Sequence, residues 1–309
     1  MKKIIILFFA VLFTAACAGT KQTYQPDLAL LKTWEQAEKP SGEHSQPYIA
    51  IFKKDGKTLV YLASRHNSAR TLDMVDYIFS NFKPQIAVVE FERSGRPLKD
   101  KCSWNEFEYS AGIAADKNIP VVLADLTLAD KTKILSSKYP DLHKILQARW
   151  MINNSMMSKK QFGHYETAAQ GVNNFKHFAY TPDMPEPMTA DEFKTWFKQY
   201  FNKDFDKADL NEIFKEDWRW PISAGTIFNK LSEDEDFYAR DPFMIKNITA
   251  ALNKYNIVYA AFGEGHYRSH RKILEDMLGK PEYIWDVKYT DRNNCQGFKI
   301  KQEILVPEP

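Results

Sequence analysis

Apolar residues along the chain fall into two periods, and the change from one to the other marks out the elements. Short apolar runs at Tyr48 to Lys53, Thr58 to Ala63, Ile86 to Glu92, Pro120 to Leu126 and Ile257 to Phe262 are too short for ordinary helices. Their β-branched and aromatic content and flanking turn residues predict strands. Between them Leu72, Val75, Ile78 and Phe79 recur at helical spacing, as do Phe107, Ile113 and Ala114 within a helix expected from Trp104 to Lys117. Asp241 stands where a helix cap is expected, with Pro242 at the first helical position and Ile245, Ile248, Leu252 and Tyr255 behind it. The Asp55-Gly56 pair predicts a hairpin between the first two strands. Strand followed by helix and strand is the parallel crossover unit. Its repetition predicts an α/β fold, a mostly parallel central sheet with helices on both faces. A helix from Ser269 to Leu278 and strands at Tyr283 to Tyr289 and Phe298 to Leu305 complete the pattern, the last pair as an antiparallel edge.

The alternation stops between residues 129 and 235, where the chain is aromatic, charged and helical in spacing. Thr189 and Glu192 have capping-box spacing ahead of Phe193, Trp196, Phe197, Tyr200 and Phe201, so a helix is expected to begin near residue 190. Pro182, Pro185 and Pro187 form a stiff connector in the same stretch. This predicts a helical insertion or cap over 129–235, its aromatics packing the cap or, as the alternative, lining a ligand pocket. The α/β core then comprises 47–128 and 236–309.

The start of the chain changes the picture of where the protein resides. Lys2-Lys3, the apolar stretch Ile4 to Phe13 and Ala15-Ala16 before Cys17 have the layout of a secretory signal over 1–16, too short to span a bilayer. The segment resembles a bacterial lipoprotein signal, with Thr14 where leucine is usual. The resemblance implies an acylated Cys17 as a membrane anchor, and Ala18 is similar to the outer-membrane-destined form, facing the periplasm or the cell surface. An ordinary secretory signal with an unmodified cysteine is the alternative. Residues 17–46 read as a tether with a short helix near Leu28 to Ala37 and no chemistry of its own. Loss of Lys2 and Lys3 takes the formal charge from +2 to zero, so composition gives no electrostatic case for nucleic acid. Cys102 and Cys295 are the remaining cysteines, able to pair in an oxidising compartment if the fold brings them together.

Candidate chemistry gathers at strand ends. In a parallel sheet the loops leaving the carboxyl ends of strands surround the ligand crevice. His66 follows one such end, Glu90 and Glu92 close another, Asp125 a third, and His266 follows a fourth, after glycines 263 and 265 that predict a turn. Glu90 interrupts an apolar strand, and a carboxylate there costs several kcal/mol, about 3–5, unless paired or protonated. Two imidazoles and a carboxylate can ligate a divalent metal with positions left open for water; His66 acting as a general base without metal is the alternative. His266 and His270 share helical spacing, but no His-Glu-x-x-His pattern is present, and Gly263-x-Gly265 lacks the rest of a phosphate-loop fingerprint.

Gly263-Glu264-Gly265-His266, Ala63-Ser64-Arg65-His66, Val88-Val89-Glu90-Phe91 and Arg240-Asp241-Pro242-Phe243-Met244, in that complementary set, resemble the motifs of one clan. It gathers TraB and pheromone-shutdown proteins, GumN-like proteins, Tiki proteases, erythromycin esterases and the haem-binding lipoprotein ChaN. The clan carries two G-x-x-H motifs, a glutamate ending an early strand and an arginine ahead of the second motif; Ala63 departs from the first. The resemblance covers roughly 48–126 and 236–287. It implies that His66, Glu90 and His266 converge as catalytic or metal-binding residues. Arg240 would stabilise developing charge or hold Glu90. The function expected is a lipid-anchored, metal-dependent hydrolase acting on a peptide or small molecule. A haem-binding protein with Tyr267 as a candidate axial ligand beside His266 is the alternative, as is a non-catalytic surface protein.

Overall fold

The computed structural model describes residues 23–37, 47–66, 68–92, 106–182, 184–217 and 225–287. The expectations for the signal segment and Cys17, for Cys102 and Cys295, and for a strand at Phe298 to Leu305 lie outside them.

The expected alternation of strand and helix is present. In chain order come β1 (Tyr48–Lys54), β2 (Lys57–Ser64), α1 (Ala69–Asn81), β3 (Ile86–Glu92), α2 (Glu106–Asp116) and β4 (Val121–Asp125). Six helices follow, α3 (Leu128–Leu135), α4 (Leu142–Phe162), α5 (Ala168–Phe178), α6 (Ala190–Phe201), α7 (Leu210–Asp217) and α8 (Ile227–Glu235). A π-helical turn over Asp236–Arg240 leads into α9 (Asp241–Lys254), then β5 (Ile257–Gly263), α10 (Glu264–Leu278) and β6 (Glu282–Ile284).

The strands form one sheet in the order β4-β3-β5-β2-β1-β6. β2 and β3 each pair in parallel with β5, and β4 in parallel with β3. β1 runs antiparallel to both β2 and β6, giving the antiparallel edge. Asp55 and Gly56, both at positive φ, make the hairpin turn that the Asp-Gly pair predicts. The two-residue period of each strand sends neighbours to opposite faces. Tyr61, Val88 and Ala260 pack on one side with Met244, Ile248 and Ile273 of α9 and α10. Leu62, Val89 and Ala261 pack on the other with Val75, Ile78 and Ile113 of α1 and α2. Both faces are therefore covered, which is why the strands read as continuous apolar runs.

The described residues between 128 and 231 build a separate helical layer whose core includes Leu142, Ile145, Phe175, Phe193, Phe197 and Phe228. Its expected helix start is present: Thr189 accepts from the Glu192 N–H while the Glu192 carboxylate accepts from the Thr189 N–H. Among the described residues no helix is long and apolar enough to cross a membrane.

Three local expectations are corrected. Asp241 caps nothing, because α8 continues through the π turn into α9 and the backbone at Arg240 is already helical. The missing N–H of Pro242 falls where that turn breaks the regular ladder, so the proline does not require a helix start. The short helix near Leu28 to Ala37 is only a 3₁₀ turn over Leu28–Leu30. Instead of hanging free, residues 23–37 strap across the core: Tyr24 and Leu31 are buried, and Asn253 exchanges two hydrogen bonds with the Tyr24 backbone. Finally, glycines 263 and 265 form no turn. Neither has positive φ, and β5 passes straight into α10, which begins at Glu264 rather than near Ser269.

Candidate active site at the carboxyl edge of the sheet

Parallel pairing sets the site. Ser64 lies opposite Gly263, and Val89 opposite Ala261, so β2, β3 and β5 end together with β5 in the middle. His66 leaves the end of β2, Glu90 stands near the end of β3, and His266 occupies the first turn of α10 directly beyond β5. The three converge around Gly263. A methyl group added there would lie 3.5 Å from Glu90 Oε2, 3.6 Å from His66 Nε2 and 3.7 Å from His266 Cδ2. A methyl group would thus fit but fill the space between the three side chains, and backbone freedom is not at stake, since a φ of −54° suits any residue.

Each imidazole is held from behind by a buried carboxylate. His266 Nδ1 lies 2.7 Å from Asp241 Oδ1, which leaves Nε2 directed at Glu90 Oε1, 3.4 Å away. His66 Nδ1 lies 2.8 Å from Glu106 Oε1, which also accepts from Ser64 Oγ at 2.9 Å. Glu106 and Asp241 are each 1 % exposed, whereas the His66 side chain is 59 % exposed. One imidazole is therefore buried in the wall and the other stands at the opening.

Glu90 is satisfied as its burial demands. Oε1 accepts from Arg240 Nη2 at 2.6 Å and Oε2 from the Gly263 N–H at 2.7 Å. Arg240 also donates to both oxygens of Asp125, at 2.9 Å each, and to Asp236 Oδ1 at 2.7 Å. Its guanidinium is committed to three carboxylates, so it organises Glu90 and keeps no free fork for a substrate. Asp125, expected only as a strand-end carboxylate, is one of those anchors. Glu92 pairs along the backbone with Asp125 at the end of β3.

These contacts shift the ionisations in opposite directions. Burial alone raises the Glu90 carboxyl, but His266, Arg240 and the Gly263 N–H outweigh it and hold Glu90 well below the usual carboxylate range. Burial also opposes ionisation of Asp241, and His266 and His270 bring its pKa down to about 2. Burial lowers the basicity of His266, yet Glu90 and Asp241 raise it well above the ordinary imidazole value. The hydrogen bond to Glu106 raises His66. Asp236, buried beside other acids, is pushed up to about 6 although Arg240 opposes this.

His270, set aside on its sequence pattern, belongs to the same network. Its Nε2 lies 2.8 Å from Asp241 Oδ1 and its Nδ1 3.0 Å from the Tyr61 hydroxyl. Asp241, His266 and His270 together offer donor atoms within 4.8 Å of one another, a buried set able to hold a metal ion. Tyr267 turns the other way: it is fully buried, packs against Tyr48 and Tyr61, and its hydroxyl meets that of Tyr283 at 2.9 Å. That position corrects its expected role as an axial haem ligand at this cleft.

The cleft has a volume of about 510 Å³ and is bordered by His66, Glu90, His266, Arg65, Arg268 and Trp34. Trp34, on the strap expected to carry no chemistry, lies over the helix start, where a methyl group at Gly265 would sit 3.4 Å from the indole.

Comparison of the chain with protein-family models, curated proteins and solved structures gave no match. The site therefore rests on its own geometry. Sequence reasoning missed Glu106, Asp236 and Trp34 as members of it and took Asp241 for a cap. For Asp241 a signal existed, since it adjoins Arg240 in the arginine motif. For Trp34 none did.

Proposed function

We propose that this chain is a metal-dependent hydrolase in which His66 Nε2, His266 Nε2 and a Glu90 oxygen hold one divalent cation. One observation carries the reading: both imidazoles are tied at Nδ1 to buried carboxylates, and His66 Nε2, Glu90 Oε2 and the His266 ring edge all lie 3.5–3.7 Å from the one point that a methyl group on Gly263 would fill. Carboxylate behind imidazole is how proteins fix the tautomer and orientation of a metal-binding histidine. Two imidazoles and one carboxylate suit zinc, manganese or iron.

Charge balance supports the same assignment. Glu90, Glu106, Asp125, Asp236 and Asp241 underlie the cleft, against Arg240 buried among them, Lys131 3.9 Å from Asp125, and Arg65 and Arg268 at the border. Protons on His66 and His266 offset part of this excess in the free protein, and a divalent cation replacing them supplies the same charge.

A bound divalent cation contributes Lewis acidity and a nucleophile near neutral pH. The protein's own residues do the rest. Asp241 and Glu106 keep the Nδ1 protons in place and leave Nε2 free. Arg240 and the Gly263 N–H fix the Glu90 carboxylate in its ionised form, which makes it a ligand and a weak base. The substrate would be a peptide or a small ester or amide entering past His66, the exposed member.

The buried set of Asp241, His266 and His270 is the competing location. Its Asp241–His266 contact is a hydrogen bond and His270 Nδ1 is held by Tyr61, so it is read as the support that orients His266, although Asp241 Oδ2 and His270 Nε2 are buried there without a hydrogen-bond partner. Metal titration of the wild type, His66→Ala and His270→Ala decides between them. Loss of binding in His66→Ala with retention in His270→Ala is expected. The reverse pattern, or an activity indifferent to chelation, would overturn the assignment.

Membrane attachment through an acylated Cys17 is part of the proposal on the strength of the sequence alone. A Cys17→Ser variant that still partitions into detergent would remove it.

A further inference from the structure

A second cavity adjoins the cleft, and the two share Trp34 and Arg240 as walls. It has a volume of about 430 Å³ and opens between the α/β core and the helical layer. Its apolar side is made by Leu146, Trp150, Ile213 and Phe228, from α4, α7 and α8. Its polar side includes the carboxylates of Glu235 and Asp236, which pair with Arg149 and Arg240, and two cations in different conditions, Arg149 and Lys131. Arg149 is already matched, donating to Ser232 at 3.0 Å and pairing with Glu235 at 2.6 Å. Lys131 is not: its side chain is only 16 % exposed, and its ammonium reaches Asp125 at 3.9 Å, the outer limit of an ion pair. Asp125 is itself bound on both oxygens by Arg240. With its ion pair to Asp125 this long, the Lys131 ammonium keeps donors for an anion arriving in the cavity.

We propose that this cavity binds a large apolar or aromatic group carrying an adjacent carboxylate, the apolar part against Trp150 and Phe228 and the carboxylate on Lys131. For a peptide this is a hydrophobic C-terminal residue with its free α-carboxylate. The shared Trp34–Arg240 wall places that residue next to the cleft. Calling it part of the substrate rests on the hydrolase reading, but the binding itself does not, because none of His66, Glu90 and His266 lines the cavity.

The test is calorimetric titration of the full chain in EDTA with N-acetyl-L-phenylalanine, its C-terminal amide, and N-acetylglycine. The free acid is expected to bind about tenfold more tightly than the amide, the worth of one charge-assisted contact, and N-acetylglycine more weakly than either. Lys131→Gln should abolish the difference between acid and amide. Equal binding of acid and amide to the wild type, no preference over N-acetylglycine, no binding at all, or a difference that survives in Lys131→Gln would each overturn the proposal. The wild-type comparison decides even if the variant does not fold. Loss of metal dependence with this binding intact would instead count against the hydrolase reading alone.

Discussion

Asp241 Oδ1 lies 2.7 Å from His266 Nδ1, tying the first turn of α9 to the first turn of α10 across 25 residues of chain. The same oxygen is 2.8 Å from His270 Nε2, and His270 in turn reaches the Tyr61 hydroxyl. The result is a buried chain of polar groups ending at the imidazole that faces Glu90. Glu106 repeats the device on the other side of Gly263, with His66. The orientation of both imidazoles therefore depends on carboxylates buried behind them.

Removing the supports should weaken metal binding without removing a ligand. Asp241→Asn and Glu106→Gln are each expected to lower affinity for zinc or manganese about 10–100-fold, the usual effect of losing the partner behind a ligating histidine. Competition titration against a chromogenic chelator measures this. Unchanged affinity in both variants would mean that neither histidine is a ligand.

Gly263→Ala separates site from fold. The φ there is ordinary and a methyl group would meet its neighbours at 3.5–3.7 Å, normal van der Waals contact. Stability should change by less than about 1 kcal/mol. The methyl nevertheless occupies the space between His66, Glu90 and His266, so metal binding should fall sharply. Equilibrium urea unfolding and metal titration on the same preparation check both halves.

Arg240→Met is predicted to be a structural lesion first. It leaves Glu90, Asp125 and Asp236 buried without their common partner. Breaking a buried pair in this way costs about 3–5 kcal/mol. Arg240→Lys should rescue only part of the loss, because an ammonium cannot match the fork spanning Asp125. Thermal and urea midpoints of both variants test the ranking.

The metal-free protein should be most stable at about pH 5, where the acid-side and base-side contributions cross. Asp241, at about 2 against an ordinary 3.8, stabilises the fold above 3.8 and loses that contribution as pH falls toward 2. Glu90 and Glu106, both held below their ordinary 4.5, act in the same direction. His266 has the opposite sign: raised above 6.5, it stabilises fully below that value and loses the contribution as pH climbs through its folded pKa. Asp236, raised from 3.8 to about 6, contributes fully below 3.8 and loses that contribution as pH climbs through 6. His270, lowered by its burial, opposes His266: it contributes above 6.5 and loses that as pH falls. Urea midpoints in EDTA at pH 3, 5 and 8 should be highest at 5; a steady rise from 5 to 8 would contradict the balance.

Much of the framework was legible in the residues. Apolar runs such as Val88-Val89 mark strands covered on both faces, and Glu90 stands out because a carboxylate interrupts one of them. Strand ends also placed His66, Glu90 and His266 on one edge. Signals that failed were local ones with a tertiary competitor. Asp241-Pro242 has the form of a helix start, but α8 runs through it. Glycines 263 and 265 have the form of a turn, but one opens space among three side chains and the other lies under Trp34. His270 shares spacing with His266, yet its importance comes from Asp241 and Tyr61, which no spacing reveals.

The sequence by itself determined the strands and helices around the sheet in outline, though not every boundary, because these follow from periods of two and 3.6 residues. Only the tertiary structure decided that Asp241 stands behind His266, Glu106 behind His66, and Arg240 between Glu90, Asp125 and Asp236. Those pairings join residues up to 150 positions apart. They depend on β5 lying between β3 and β2, and on which buried charge finds an opposite charge within hydrogen-bond reach once water has been excluded.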